Sequence, residues 1–148
     1  MSLSCENEDT KELLKYCDSG CKTATNSIEQ VMEYTKSKEL RKLLLEYDKK
    51  HAQLGDKCHI LLKRYHEEEE DPSFMARTMS YVTTEMKMLI NNEEKEIAKV
   101  MMDGCNMGIQ SLGKYLNQFK KATGECRKIA EDLIDIEFNF MKDLRAYL

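Results

Sequence analysis

Proline occurs once in these 148 residues, at Pro72, and glycine only six times. A chain so poor in the two residues that interrupt regular backbone is suited to long helices, and Leu, Lys, Glu and Met, all good helix formers, dominate it. No strand pattern is present. Long apolar runs are also missing: none exceeds three residues, which excludes a membrane-spanning helix. The polar start Met1 to Lys11 lacks the hydrophobic segment of a secretory signal, so the expected location is the cytoplasm. An excess of positive charge is absent, with 23 basic residues against 27 acidic, a net charge of -4 and a pI near 5.5. Both signs are interspersed, which argues against a nucleic-acid surface. There is no glycine-rich phosphate loop, no nucleophile motif and no dinucleotide fingerprint.

What the chain does have is six cysteines: Cys5, Cys17, Cys21, Cys58, Cys105 and Cys126. They fall mostly within helical patterns of a chain with no sign of export, so reduced thiols packed as small hydrophobes are expected. Cys17 and Cys21 are four apart on one helix face and could offer two sulfurs to a metal, but no Cys-x-x-Cys or His-x-x-x-His pair completes a zinc signature. At 17.3 kDa the chain is long enough for a core that needs neither disulfides nor structural metal.

The periodicity predicts an all-α fold with a flexible start, residues 1–8, and one domain, residues 9–148. Asp9 and Glu12 resemble a capping box opening a helix over 9–35, with Leu14, Cys17, Cys21, Ala24, Ile28, Val31 and Thr35 as its core stripe. Ser37 can cap a helix over 38–66 whose stripe is Leu40, Leu44, Tyr47, His51, Leu54, Cys58, Leu61 and Tyr65. Asp71-Pro72 starts a shorter helix, 72–90, read as a crossover. Glu93, Glu94 and Glu96 suit the first turn of a helix over 93–122, stopped by Gly124, and a last helix covers 125–147. The 93–122 segment carries two adjacent faces, one with Met101, Gly104, Gly108 and Ser111, the other with Cys105, Ile109 and Leu112. One neighbour cannot bury both, so the crossover or a second copy in a homodimer is expected to cover the second.

Counting along each helix from the end near residues 36 and 93 places Cys21, His51, Gly108 and Glu137 at a common depth of roughly 22 Å, at about 1.5 Å per residue. Asp48 and Cys17 lie within about a turn of that level. Burial of a carboxylate or an imidazole without a partner costs several kcal/mol. His51 and Glu137 are therefore expected to satisfy each other or to share a cation. The candidate metal set is His51, Glu137, Asp48, Cys21 and Cys17; no cofactor is the first expectation and a single zinc or iron ion the alternative. Met101, Gly104, Gly108 and Phe140 could instead line a pocket for a small apolar ligand. The ten methionines read as core filling, and His59 and His66, off the stripe, as surface residues.

Two long helices, a crossover and two more long helices, over residues 9–148, resemble the ferritin-like superfamily. More narrowly, Leu40-Arg-Lys-Leu-Leu-Leu-Glu-Tyr-Asp-Lys-Lys-His51 and Asp103-Gly-Cys-Asn-Met-Gly-Ile-Gln-Ser-Leu112 resemble a bacterial branch of it that has no settled activity. The resemblance implies a four-helix bundle. Di-iron members take a glutamate from each of two helices and Glu-x-x-His from each of the other two. Here Asp48-Lys-Lys-His51 is a shortened version, Cys21 or Ala24 and Cys105 or Gly108 stand where carboxylates would, and Phe140 follows Glu137 where a histidine would. A di-iron oxidase is not expected. The expectation is a non-catalytic bundle acting through self-association or a protein partner, with a degenerate metal or redox site around His51 and Glu137 as the alternative.

Overall fold

The computed structural model describes residues 3–65 and 93–148. The expected crossover helix, 72–90, and His66 lie outside the described residues. Four α-helices are present among the described residues: α1, Leu3–Met32; α2, Lys38–Arg64; α3, Glu94–Gln118; and α4, Gly124–Leu144, with a short 3-10 turn at Arg145–Tyr147. No strand occurs among the described residues. None of their helices is long and apolar enough to cross a membrane.

The apolar stripe of α2 is buried as the spacing requires, from Leu40 through Leu44, Tyr47, His51, Leu54 and Cys58 to Leu61. Ser37 caps it, accepting from Leu40 N at 3.2 Å. The helix ends differ more. Residues 3–8, expected as a flexible leader, are the first turns of α1, and Asp9 and Glu12 do not form its cap. Asp9 is recruited by tertiary structure instead: its carboxylate accepts from Lys121 N at 2.9 Å, and Thr10 Oγ1 accepts from Thr123 N at 3.0 Å. α1 stops at Met32 rather than 35, where Arg41 donates to the Met32 and Thr35 carbonyls that the helix end leaves unpaired.

The turn after α3 carries a similar correction. The helix ends at Gln118 rather than 122, because Phe119 leaves the helical region (φ -102°, ψ 59°) and Arg127 Nη1 satisfies the Leu116 and Phe119 carbonyls at 3.0 and 3.2 Å. Gly124, read as a stop, opens α4 instead. Thr123 is its cap, accepting from Cys126 N at 3.3 Å.

Two apolar clusters fix the directions of the helices. One joins Ile28 and Val31 late in α1 with Leu40 and Leu44 early in α2, Ile97 and Ala98 early in α3, and Leu144 at the end of α4. The other joins Leu13 and Leu14, Leu61 and Leu62, Leu112 and Leu116, and Cys126 and Ala130. α1 and α2 are therefore antiparallel, as are α3 and α4, while α1 runs parallel to α4 and α2 parallel to α3, and α2 leaves the bundle at the end opposite to that where α3 begins. α1 lies chiefly along α2 and α3 along α4, while α1 also meets α3 and α4, and α4 meets α2. His51 and Glu137 fall where the two clusters join.

Candidate functional site

His51 is fully buried on α2, and both its ring nitrogens are engaged. Nδ1 lies 2.7 Å from the Tyr47 carbonyl one turn back on the same helix. A carbonyl only accepts, so Nδ1 carries the proton of that bond. Nε2 meets Glu137 Oε1 from α4. The two residues are distant in the chain and the stripe spacing alone brings them to one level. Burial opposes a charge on His51, but the Glu137 carboxylate, helped by the Tyr47 carbonyl and Asp48, more than offsets it and raises the imidazole pKa. With Nδ1 donating to the carbonyl, the raised pKa favours the charged form of His51, whose Nε2–H donates to Glu137.

The third member of the cluster is Cys105 of α3. Burial is the main cause of its raised pKa; the negative charge of Glu137 and a hydrogen bond from the thiol to that carboxylate add to it. Sequence reasoning brought Cys105 to this level only through the resemblance, as standing where a carboxylate would, and did not include it among the site residues. The signal was its position three residues before Gly108, on the adjacent face of α3. Gly108 itself lies where expected, since a Cβ there would stand 3.5 Å from Glu137 Oε2. Above the pair, Phe140 stacks on Tyr47 with centroids 4.3 Å apart, and the Tyr47 hydroxyl donates to Asp143 at 2.6 Å. Burial, then Asp143, raise the Tyr47 pKa well above its ordinary value.

The other expected site residues are not brought to this cluster. Asp48 is half-buried and belongs to the seam with α1: burial raises its pKa first, then Glu29, with His51 opposing. Cys21 sits about one turn further along the bundle than the counting suggested. Its Cβ would be 3.3 Å from a Cβ on Gly55, and its thiol is hydrogen-bonded to that of Cys58. Cys17 is buried beside Cys58 and Cys126, and burial raises its pKa well above the thiol range. Cys126, pushed up to about 12 chiefly by burial, donates to the Thr10 carbonyl at 3.6 Å. The metal set read from sequence therefore divides into a His51–Glu137 pair and a separate group of protonated thiols. The physical reason is rotational as well as axial: Cys17 and Cys21 face α2 and the start of α4, not the middle of α4. Among the described residues no three His, Cys, Asp or Glu side chains stand where they could hold a metal ion together. All six cysteines are free thiols, five buried and Cys5 exposed.

Beside the pair lies a cavity of about 320 Å³. Its walls are the small residues of two antiparallel helices, Gly20, Ala24 and Ser27 on α1 and Gly104, Gly108 and Ser111 on α3; Leu133, Glu137 and Phe140 of α4 form its floor. A Cβ on Gly104 would meet nothing within 4 Å. The two faces read on residues 93–122 are thereby explained. Cys105 and Leu112 enter the core, while Gly104, Gly108 and Ser111 border open space within the chain itself. Tyr16 and Tyr115, stacked with centroids 3.7 Å apart, stand at one end.

No protein-family model and no curated protein matches the chain. Among solved structures, it is similar to the crystal structure of a DUF305 fragment from Deinococcus radiodurans, with a TM-score of 0.73, 12% identity and 93% of each chain covered. At that identity the likeness is one of fold, and it defines the class of this protein as an all-helical domain.

Proposed function

We propose that the chain is a ferritin-like bundle that carries out no chemistry of its own and works by holding a small ligand in the cavity beside Glu137. The bundle reading is supported by the helix directions, in which α2 and α3 are joined end to end across the length of the molecule, as in ferritin-like folds. The observation that carries the binding reading is the cavity itself. Its volume is at the lower bound for ligand pockets, it is lined mainly by apolar groups, and one buried acid faces it.

The order of groups in the cluster favours binding over catalysis. A cysteine nucleophile needs a base to take its proton, and here the thiol faces a carboxylate that raises its pKa, while both imidazole nitrogens are bound elsewhere. The residues do not fit a di-iron centre: this level offers one glutamate and one histidine, with Ala24 and Gly108 on the helices that would supply further carboxylates. Native mass spectrometry of protein purified without chelator tests the reading. A small organic adduct on the wild type and none on Gly104→Leu is expected. Adduct-free protein in both, or a stoichiometric metal ion, would count against it.

A further inference from the structure

We infer that the ligand is a compact apolar amine, held as its ammonium ion against Glu137 Oε2 with its hydrocarbon body along Met101, Leu133 and Phe140. The inference rests on the reading of the cavity as a binding site and names the chemistry it selects.

Glu137 is 7% exposed and lines the cavity. His51 takes Oε1, and its other nitrogen is held by the Tyr47 carbonyl, so the imidazolium does not compete for Oε2. That oxygen is directed at Gly108, where the missing side chain leaves room for a ligand atom. A wholly apolar ligand would strip water from a carboxylate oxygen and return no hydrogen bond, which is costly for a charged group. An anion fares worse. Among the described residues no lysine or arginine lines the cavity, and the His51 imidazole is already paired. A protonated amine adds, from the cavity side, a charge-assisted donor to the carboxylate that His51 and the Cys105 thiol hold from the core side.

Shape narrows the class further. A dry cavity of about 150 Å³ already accepts benzene. The 320 Å³ here suits one ring with a short chain, and the flat Tyr16–Tyr115 stack at one end suits a ring more than a branched aliphatic body.

Phenethylamine, 2-phenylethanol and phenylacetate share a ring and chain and differ in the terminal group, so titration calorimetry of the three against the full chain at pH 7 isolates the charge. The amine is expected to bind about tenfold or more tighter than the alcohol, and the acid not at all. Glu137→Gln, nearly isosteric, should bring amine and alcohol to similar affinities. Gly104→Leu, whose Cβ meets no neighbour, should fill the cavity and abolish binding of all three while its circular dichroism stays helical. Equal binding of amine and alcohol to the wild type, or a preference that survives Glu137→Gln, overturns the ligand class and leaves the cavity standing as a site. Absence of binding by all three, or undiminished binding to Gly104→Leu, overturns the cavity reading and the ligand class with it.

Discussion

The His51–Glu137 pair brings opposite charges together where water is excluded, and such a pair is stabilising only while both members are present. Removing one leaves the other charged and dry, at a cost of about 3–5 kcal/mol. Glu137→Ala and His51→Ala should each lower the urea-unfolding free energy by about that amount. The double replacement His51→Leu with Glu137→Met, which removes both charges and keeps volume, should lose much less than the sum. The pair also carries a pH signature. His51 has a raised pKa in the folded state, so its contribution is complete below about 6.5, the ordinary imidazole value, and declines as pH rises through the folded value. Thermal midpoints should therefore fall as pH rises above about 6.5, and the fall should be lost in His51→Gln; a wild-type midpoint that instead rises above that pH would refute the assignment. Cys17, Cys21, Cys105 and Cys126, whose pKa values are raised mainly by burial or by a thiol neighbour, have the same sign at higher pH. They should add a second decline above about pH 8.5, where thiols of the unfolded chain ionise.

The helices show how one residue type has opposite effects in different packing. Helix interiors favour alanine over glycine by about 1 kcal/mol. At Gly104 a Cβ meets nothing within 4 Å, so Gly104→Ala should stabilise α3 by about that amount. At Gly55 the added Cβ would be 3.3 Å from Cys21 Cβ, a contact between atoms fixed to two helix backbones. α1 and α2 must separate there by a few tenths of an ångström, and Gly55→Ala should gain nothing or lose stability. Chemical denaturation of both variants checks the pair, and equal gains would show that α1 and α2 are not closely packed at this level. The same distinction explains what sequence could reveal. The stripe of α2 and the meeting of His51 with Glu137 were legible because period and helix length fix both rotation and depth. Cys21 was misplaced by about one turn because equal counts from the turn do not fix the axial offset between α1 and α2, which sets Cys21 beside Gly55. The cavity was legible as glycines on one face of α3, but its other wall on α1 was not, since Ala24 read as an ordinary core position and Gly20 and Ser27 lie off the apolar stripe. Asp9 was misread as a cap because its partner, Lys121, is more than a hundred residues away, as is Thr123, the partner of Thr10.

At the scale of the molecule, two apolar clusters flank a polar level, and each draws on all four helices. Each cluster holds the helix termini at its own end: Leu14, Leu62 and Leu116 at one, Leu44, Ile97 and Leu144 at the other. The polar level between them supplies register, because a one-residue slip of α2 against α4 would rotate His51 away from Glu137 and leave both unpaired. This division has a consequence for additivity. Leu14 and Leu44 are both fully buried, so each change to alanine should cost about 2–5 kcal/mol. They belong to separate clusters and share no partner, so the double variant should cost the sum within about 0.5 kcal/mol. Leu40 and Leu144 share one cluster, and Leu40→Ala with Leu144→Ala should depart from additivity by more than that, because the second truncation enlarges a space the first has opened. Equilibrium urea unfolding of the two double-mutant cycles measures both quantities. Strong coupling between Leu14 and Leu44 would mean that the polar level does not divide the core but transmits packing strain across it.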